Sequence, residues 1–203
     1  MGIAFACALS MTSCGAKSRQ ASGDSGSAAV AVSVTDTASA IVPVYAKGYT
    51  VKYLPGNVRL VDIRDPQKEE GNTFRYALVP KGAKPAGIPD GYTVIETPVK
   101  HAICMTSLQL SNFIRLDACD YVAGITSTRH LFNKEMKERL KSGKTSKIGI
   151  EGNFDNEVIM SINPDVIFIS PFKRGGYDAM RETGIPLVPH LGYKEMTPLG
   201  QAE

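Results

Sequence analysis

The chain has 203 residues, room for one domain of ordinary size or a smaller domain with an appendage. Hydrophobic residues make up 43% and charged residues 21%, the balance of a soluble globular protein. A net charge of +3 and a pI near 8.6 fall short of the clustered basic pattern of a nucleic-acid binder, and no apolar run approaches the ~18 residues of a membrane-spanning helix.

The N-terminus reads "GIAFACALSMTSCGAKSRQ": an apolar core from Ile3 to Leu9, then small residues, then Cys14. This resembles a bacterial lipoprotein signal with Met11-Thr12-Ser13-Cys14 as the lipobox. The resemblance implies cleavage before Cys14, with residues 1–13 as signal peptide and Cys14 as the lipidation site. Two or more acyl chains on that cysteine would anchor the chain stably to a membrane. The plainer alternative is an apolar N-terminal strand with a buried cysteine. Residues 14–40 turn to Ser, Gly, Ala and Thr, a composition that buries too little apolar surface to order itself and is expected to act as a tether.

Residues 41–98 read as β-rich. "YTVKYLPGNVRLVDIRDP" holds two alternating runs around Leu54-Pro55-Gly56-Asn57, a turn signal. Phe74–Pro80 is a further strand and Thr93–Glu96 another. The block offers no evident chemistry, and its expected role is to extend or cover the edge of the domain that begins at Val99.

From Val99 strands and helices alternate through 203. "VKHAICMT" is a strand, and Thr106 or Ser107 caps the helix "SLQLSNFIRLDAC". "YVAGIT" is a strand, "NKEMKERLKSG" a charged helix closed by Gly143. "KIGI" is a short strand, Phe154 to Ile162 a helix with Asn153 or Asp155 as cap, and "DVIFIS" a strand with the continuous apolar run of one buried on both faces. "YDAMRETG" and "IPLVPH" complete the alternation. The expected fold class is α/β, a parallel sheet flanked by helices and preceded by a small β-rich segment. Cys104 and Cys119 each sit in an apolar element, as buried thiols or as a pair in an oxidising compartment.

Ligands of such sheets bind outside the carboxyl ends of the strands. The residues expected there are Ser107, Thr128-Arg129-His130, Glu151-Gly152-Asn153, Pro171-Phe172-Lys173-Arg174 and Leu191-Gly192-Tyr193. Gly152 reads as a corner where backbone comes close to a ligand, beside a helix start suited to an anion.

The order of "KHAICMTS", "DYVAGIT", "KIGIEGNFDNEVIMSINPDVIFIS" and "GIPLVP" resembles the iron-chelate and vitamin B12 substrate-binding proteins of ABC importers, and "SPFKRGGYDAM" with "YKEMTPLGQAE" resembles a lipoprotein branch found in Bacteroidetes. The match runs from about Pro98 to Glu203. The resemblance implies two α/β lobes joined by a long helix, with ligand between them. The sequence reaches the start of that helix at "TPLGQAE", so the chain is expected to be an N-terminal lobe without its second lobe. Glu157 matches the family's acidic residue that pairs with an arginine of the membrane permease; a rim charge of this kind governs encounter and orientation. An acidic residue in the first turn of a helix is also favoured by the helix dipole alone.

The aromatic lining of the B12-binding members is mostly missing, with Thr128, Glu151 and Ser170 at the corresponding positions. Arg129, His130, Lys173 and Arg174 gather positive charge instead, and with Phe172 and Tyr193 they suit an anionic, partly aromatic ligand such as a ferric siderophore or haem. The same charges also suit solvated loops. Tyr193 and His190 are candidate ligands of haem iron. The implied function is capture of an iron chelate outside the membrane and delivery to a permease with its cytoplasmic ATPase, without a cofactor. A cobalamin-binding member and a lipid-anchored sensor or adhesion protein are the alternatives. "KRGGYD" has neither P-loop nor dinucleotide spacing, and no serine elbow or metal-ligand pair stands out, so an enzyme is not expected.

Overall fold

A computed structural model describes residues 40–203 apart from 127, 129, 151–152 and 171–176, and for 178 and 179 it describes the backbone alone. The lipobox with Cys14 and the tether therefore lie outside the described residues.

The β-rich segment builds a sheet of its own from β1 (Ala40–Ile41), β2 (Tyr49–Leu54), β3 (Val58–Ile63), β4 (Phe74–Pro80) and β5 (Thr93–Thr97), in that order. β1 to β4 run antiparallel, and β5 joins β4 in parallel. The Pro55–Asn57 turn between β2 and β3 holds Gly56 and Asn57 at φ 77 and 59, the left-handed backbone that glycine and asparagine adopt most readily.

The second sheet contains β6 (Ala102–Cys104), β7 (Val122–Ile125), β8 (Ser146–Lys147), β11 (Val166–Ile169) and β12 (Leu187–Pro189). Its order is β12-β11-β6-β7-β8, and every pairing is parallel. Helices cover both faces. α1 (Ser107–Arg115) and α2 (Lys134–Lys141) pack one face, where Cys104, Leu110, Cys119, Val122, Ile125 and Met136 share a buried cluster. α3 (Asn156–Ile162) and α4 (Tyr177–Arg181) pack the other, where Ile103, Ile148, Ile159, Ile167 and Met180 are fully buried. Neighbours Ile103 and Cys104 thus enter opposite cores, the period of two expected of a strand. The α/β fold class read from the sequence is observed.

Cys104 and Cys119 are free and buried, and burial pushes the Cys104 thiol up to about 12. Local capping follows the sequence. Thr106 and Gln109 form a capping box on α1, and the Asn133 side chain accepts from the Met136 N–H at the start of α2.

The two sheets share a core of Tyr76, Ile95, Ala102 and Val166, and the Tyr76 hydroxyl donates to the Leu187 carbonyl. The β-rich segment therefore packs on the α1 face of the parallel sheet, against β6 and β11, without continuing that sheet. The C-terminal stretch closes back over the β-rich part. The Glu195 carboxylate accepts from Lys47 N–H and Gly48 N–H at 2.9 and 2.7 Å. Glu203 accepts from the N–H groups of Val44, Tyr45 and Ala46 at 3.0, 2.7 and 2.9 Å, and Lys194 pairs with Asp65. The last helix, α5 (Pro198–Ala202), sits between these carboxylates and is capped by Thr197.

Two expectations in the Lys147–Ser170 stretch are corrected. "KIGI" breaks into β8 and β9 (Gly149–Ile150), and β9 folds back on β10 (Asn153–Phe154) as an antiparallel hairpin. The break between β8 and β9 comes at Gly149, at φ 93. The following helix starts at Asn156 rather than Phe154, with Asp155 as its cap accepting from Val158 N–H at 3.0 Å. Phe154 is held out of the helix because its ring stacks on Tyr177, with centroids 5.7 Å apart.

The Asn163-Pro164-Asp165 turn does more than reverse the chain. Asn163 ends α3 at φ 49, and Asp165 Oδ2 accepts from Lys100 N–H and His101 N–H at 2.7 and 2.8 Å. One carboxylate thus fastens the entrance of β11 to that of β6, which would otherwise leave two backbone donors to water. Desolvation raises the Asp165 pKa, but those two bonds and the charges of His101 and Lys81 outweigh it and hold the carboxyl below its ordinary value. The stabilisation is therefore present above the unfolded value of about 3.9 and lost as pH falls through the lower folded value. Asp165→Ala is expected to cost about 1 kcal/mol at pH 7, a charged hydrogen bond discounted for solvent exposure. Urea melts at neutral and strongly acidic pH check it: the wild-type advantage should vanish in acid.

Candidate functional site

The sheet order places a topological switch point between β6 and β11. From β6 the chain winds through β7 to β8 on one side, while β11 and β12 lie on the other. In open parallel sheets the crevice outside the carboxyl ends at such a point is where ligands bind. On one flank stand Met105, Thr106 and the start of α1; on the other, Ser170 leads out of β11. The Met105 N–H donates to Phe168 O at 3.2 Å, which ties the two flanks together. The buried Thr126 hydroxyl donates to Met105 O at 2.8 Å and fixes the end of β7 beside them.

The expected site residues fall into three sets. Ser107 occupies the first turn of α1 at the switch point and is exposed, and His130 lies exposed in the turn after β7. Both follow the carboxyl end of a strand, on one edge of the sheet. Asn153 is not a helix start; it lies exposed in β10, paired with Ile150. Tyr193, 41% exposed, follows β12 within the 3-10 turn Gly192–Lys194, which the Lys194–Asp65 pair joins to the β-rich sheet. Arg129, Gly152, Phe172, Lys173 and Arg174 lie outside the described residues. So does Glu151.

At the α1 end of the crevice the Gln109 side chain is 2% exposed. Its Oε1 accepts from Thr106 N–H at 3.0 Å, while its buried Nε2 has no partner among the described residues. His190 Nε2 lies 3.2 Å from Asn112 Nδ2, and burial lowers the pKa of this imidazole, which favours its neutral form. Glu157 is exposed in the first turn of α3. No group of three or more metal-ligating side chains occurs among the described residues.

A sizeable cavity lies elsewhere. It encloses about 550 Å³ between the β-rich sheet, the C-terminal half of α1, the end of β12 and α5. Of the residues expected to bind ligand, the described ones, Ser107, His130, Asn153 and Tyr193, do not line it, but His190, Leu191 and Gly192, just past the end of β12, do. Part of the remaining wall comes from a block in which the sequence showed no chemistry, Tyr49, Val61 and Ile63 among it. Only their meeting with residues over a hundred positions away makes a cavity, and no local signal reports that.

Fold and crevice define an α/β chain with a parallel sheet flanked by helices and an open switch point. No family model matches it. The chain is 27% identical over 183 residues to an uncharacterized lipoprotein of Methanocaldococcus jannaschii, an alignment covering 78% of this chain and 43% of that protein. Among solved structures it is similar to the periplasmic heme-binding protein RhuT from Roseiflexus sp. RS-1, with 21% identity and a TM-score of 0.36 over 44% of this chain and 33% of that one. It is also similar to the petrobactin-binding protein YclQ from Bacillus subtilis, with 17% identity and a TM-score of 0.39 over 64% and 37%. The molybdate periplasmic binding protein MolA of Haemophilus influenzae gives 18% and 0.40 over 50% and 34%. The chain thus spans less than half the length of each. No helix among the described residues is long and apolar enough to cross a membrane.

Proposed function

We propose that this chain is a ligand-binding lobe of a lipid-anchored extracytoplasmic protein of the iron-chelate and vitamin B12 type. In this reading it captures a ferric siderophore or haem and presents it to the permease of an ABC importer. The observation that carries the reading is the open switch point between β6 and β11, with the start of α1 on one flank and Ser170 at the end of β11 on the other. A helix N-terminus at the crevice favours an anionic ligand, and Arg129, His130, Lys173 and Arg174 follow in sequence the strands whose carboxyl ends form it. The motif order from "KHAICMTS" to "GIPLVP" supports the family, and the naming of the Methanocaldococcus relative as a lipoprotein agrees with the role given to Cys14. Glu157 would meet the permease from the exposed first turn of α3, while Arg129, His130, Gly152, Asn153, Ser107 and Tyr193 would border the ligand. Binding and release need no bond-making step, so no cofactor enters.

The test is a titration of the chain with haem, a ferric catecholate siderophore and cobalamin, read by tyrosine fluorescence, since the chain has eight tyrosines and no tryptophan. Saturable binding of haem or the siderophore is expected, weakened about tenfold by the double change Lys173→Ala and Arg174→Ala, as for loss of two charge-assisted contacts. Cobalamin alone binding would move the reading to the corrinoid members. Binding of none of the three would overturn ligand capture by this lobe. Glu157→Lys should leave these affinities unchanged while slowing uptake of the chelate by cells about tenfold or more, since reversing a docking charge acts on encounter; unchanged uptake would remove Glu157 from docking.

A further inference from the structure

We propose that the cavity between α1 and the β-rich sheet is a second small-molecule site, separate from the switch-point crevice, and that it takes an amphipathic carboxylate with a short aliphatic body. Its volume of about 550 Å³ lies within the ~300–1,000 Å³ of small-ligand pockets, which are mostly apolar with a few placed polar groups. Val61 and Ile63 from β3, Leu116 from the end of α1 and Leu191 after β12 supply apolar wall. Polar groups converge from one helix. Asn112 and Arg115 stand three residues apart on α1, so they share a face. Asn112 places one amide hydrogen on His190 Nε2 and retains a second donor. The exposed Arg115 makes no ion pair among the described residues, and it presents the planar fork that matches a carboxylate.

Two carboxylates also line the cavity, and they do not compete for this role. Glu195 and Glu203 each accept from backbone N–H groups of residues 44–48, five donors in all, so their oxygens are directed at those amides, and Arg115 is the one arginine or lysine among the described lining residues. His190, its pKa lowered by burial, adds no cation at neutral pH. The aliphatic body would lie against Val61 and Ile63 with its head toward Asn112 and Arg115.

The test uses the 203-residue chain and three probes of equal length, octanoate, 1-octanol and octylamine, by isothermal titration calorimetry at pH 7.5. Octanoate is expected to bind about tenfold more tightly than octanol, the size of one charge-assisted hydrogen-bond pair. Arg115→Gln, a change at an exposed position, should bring the two together. Gly192→Leu fills the cavity without backbone strain: its Cβ would meet His190 Nε2 at 3.5 Å, an ordinary contact. It should weaken all three probes tenfold or more while the thermal midpoint holds. Equal binding of octanoate and octanol, preference for octylamine, no binding, or indifference to Gly192→Leu would each overturn the proposal. Haem or siderophore titrations on Arg115→Gln should be unchanged, so this site and the crevice succeed or fail separately.

Discussion

Gly149→Ala is expected to destabilise the chain by about 3 kcal/mol or more and to loosen the Asn153 hairpin with it. Two effects add. At φ 93 an L-residue is strained wherever it sits. In addition, a Cβ there would lie 2.5 Å from Asn153 O, 3.0 Å from Asp155 N and 3.1 Å from Phe154 Cα. All three are backbone atoms of the partner strand and the helix start, so no flexible side chain can yield. Relief requires β9 and β10 to part. That would break the Asp155 N–H bond to Ile148 O at 3.1 Å and draw Phe154 away from Tyr177. Gly143→Ala is the control: its φ of 75 is comparable, but nothing lies within 4 Å of the added methyl, so about 1 kcal/mol is expected from strain alone. Urea unfolding of both variants separates strain from collision. An equal loss in the two would mean that the hairpin does not close as described.

The same corner shows how far the residues alone could lead. Strand–helix alternation was legible because each signal is local. The apolar run Val166–Ile169 fits a strand buried on both faces, and Asn133 and Thr106 cap the helices where their side chains can reach the next turn. The break at Ile148 was not legible. "KIGI" has the composition of one strand, and only the positive φ of Gly149 turns it into two. Phe154 fits the apolar period of α3, and its exclusion depends on Tyr177, 23 residues on. Asp165 reads as a turn residue, and its hydrogen bonds to Lys100 and His101 appear only when β6 and β11 lie side by side. The switch point itself is a property of strand order. Alternation implies parallel neighbours but does not say that β11, rather than β7 alone, flanks β6. The crevice was therefore anticipated as a set of strand ends, whereas the cavity beside it, built from three distant parts of the chain, was not.

The second large effect is expected under that crevice, where β6 crosses β7. Ile103 is fully buried, and Gly124 is its partner in register on β7. A methyl group on Gly124 would meet Ile103 Cγ1 and Ile148 Cγ2 at 3.0 Å each and Ile162 Cδ1 at 3.2 Å. The glycine is thus an absence of side chain that three isoleucines have filled, in a core as dense as a molecular crystal. Ile103→Ala is expected to destabilise by ~2–5 kcal/mol through lost burial and the void it leaves. Gly124→Ala should cost ~1–3 kcal/mol through overpacking, although alanine in an open strand is no worse than glycine. The two changes act on one space. With the isoleucine gone, one of the three collisions disappears and the new methyl occupies part of the void. The double variant should therefore be less damaged than the sum of the single ones, by about 1 kcal/mol, within the range found for residues in contact. Denaturant melts of the four proteins give the cycle directly. Strict additivity would show that Ile103 and Gly124 do not share a packing site, and stabilisation by Gly124→Ala would show that the three isoleucines leave room there. Either result would shift the relative placement of β6 and β7, and with it the position of Met105 and Ser107 at the mouth of the crevice.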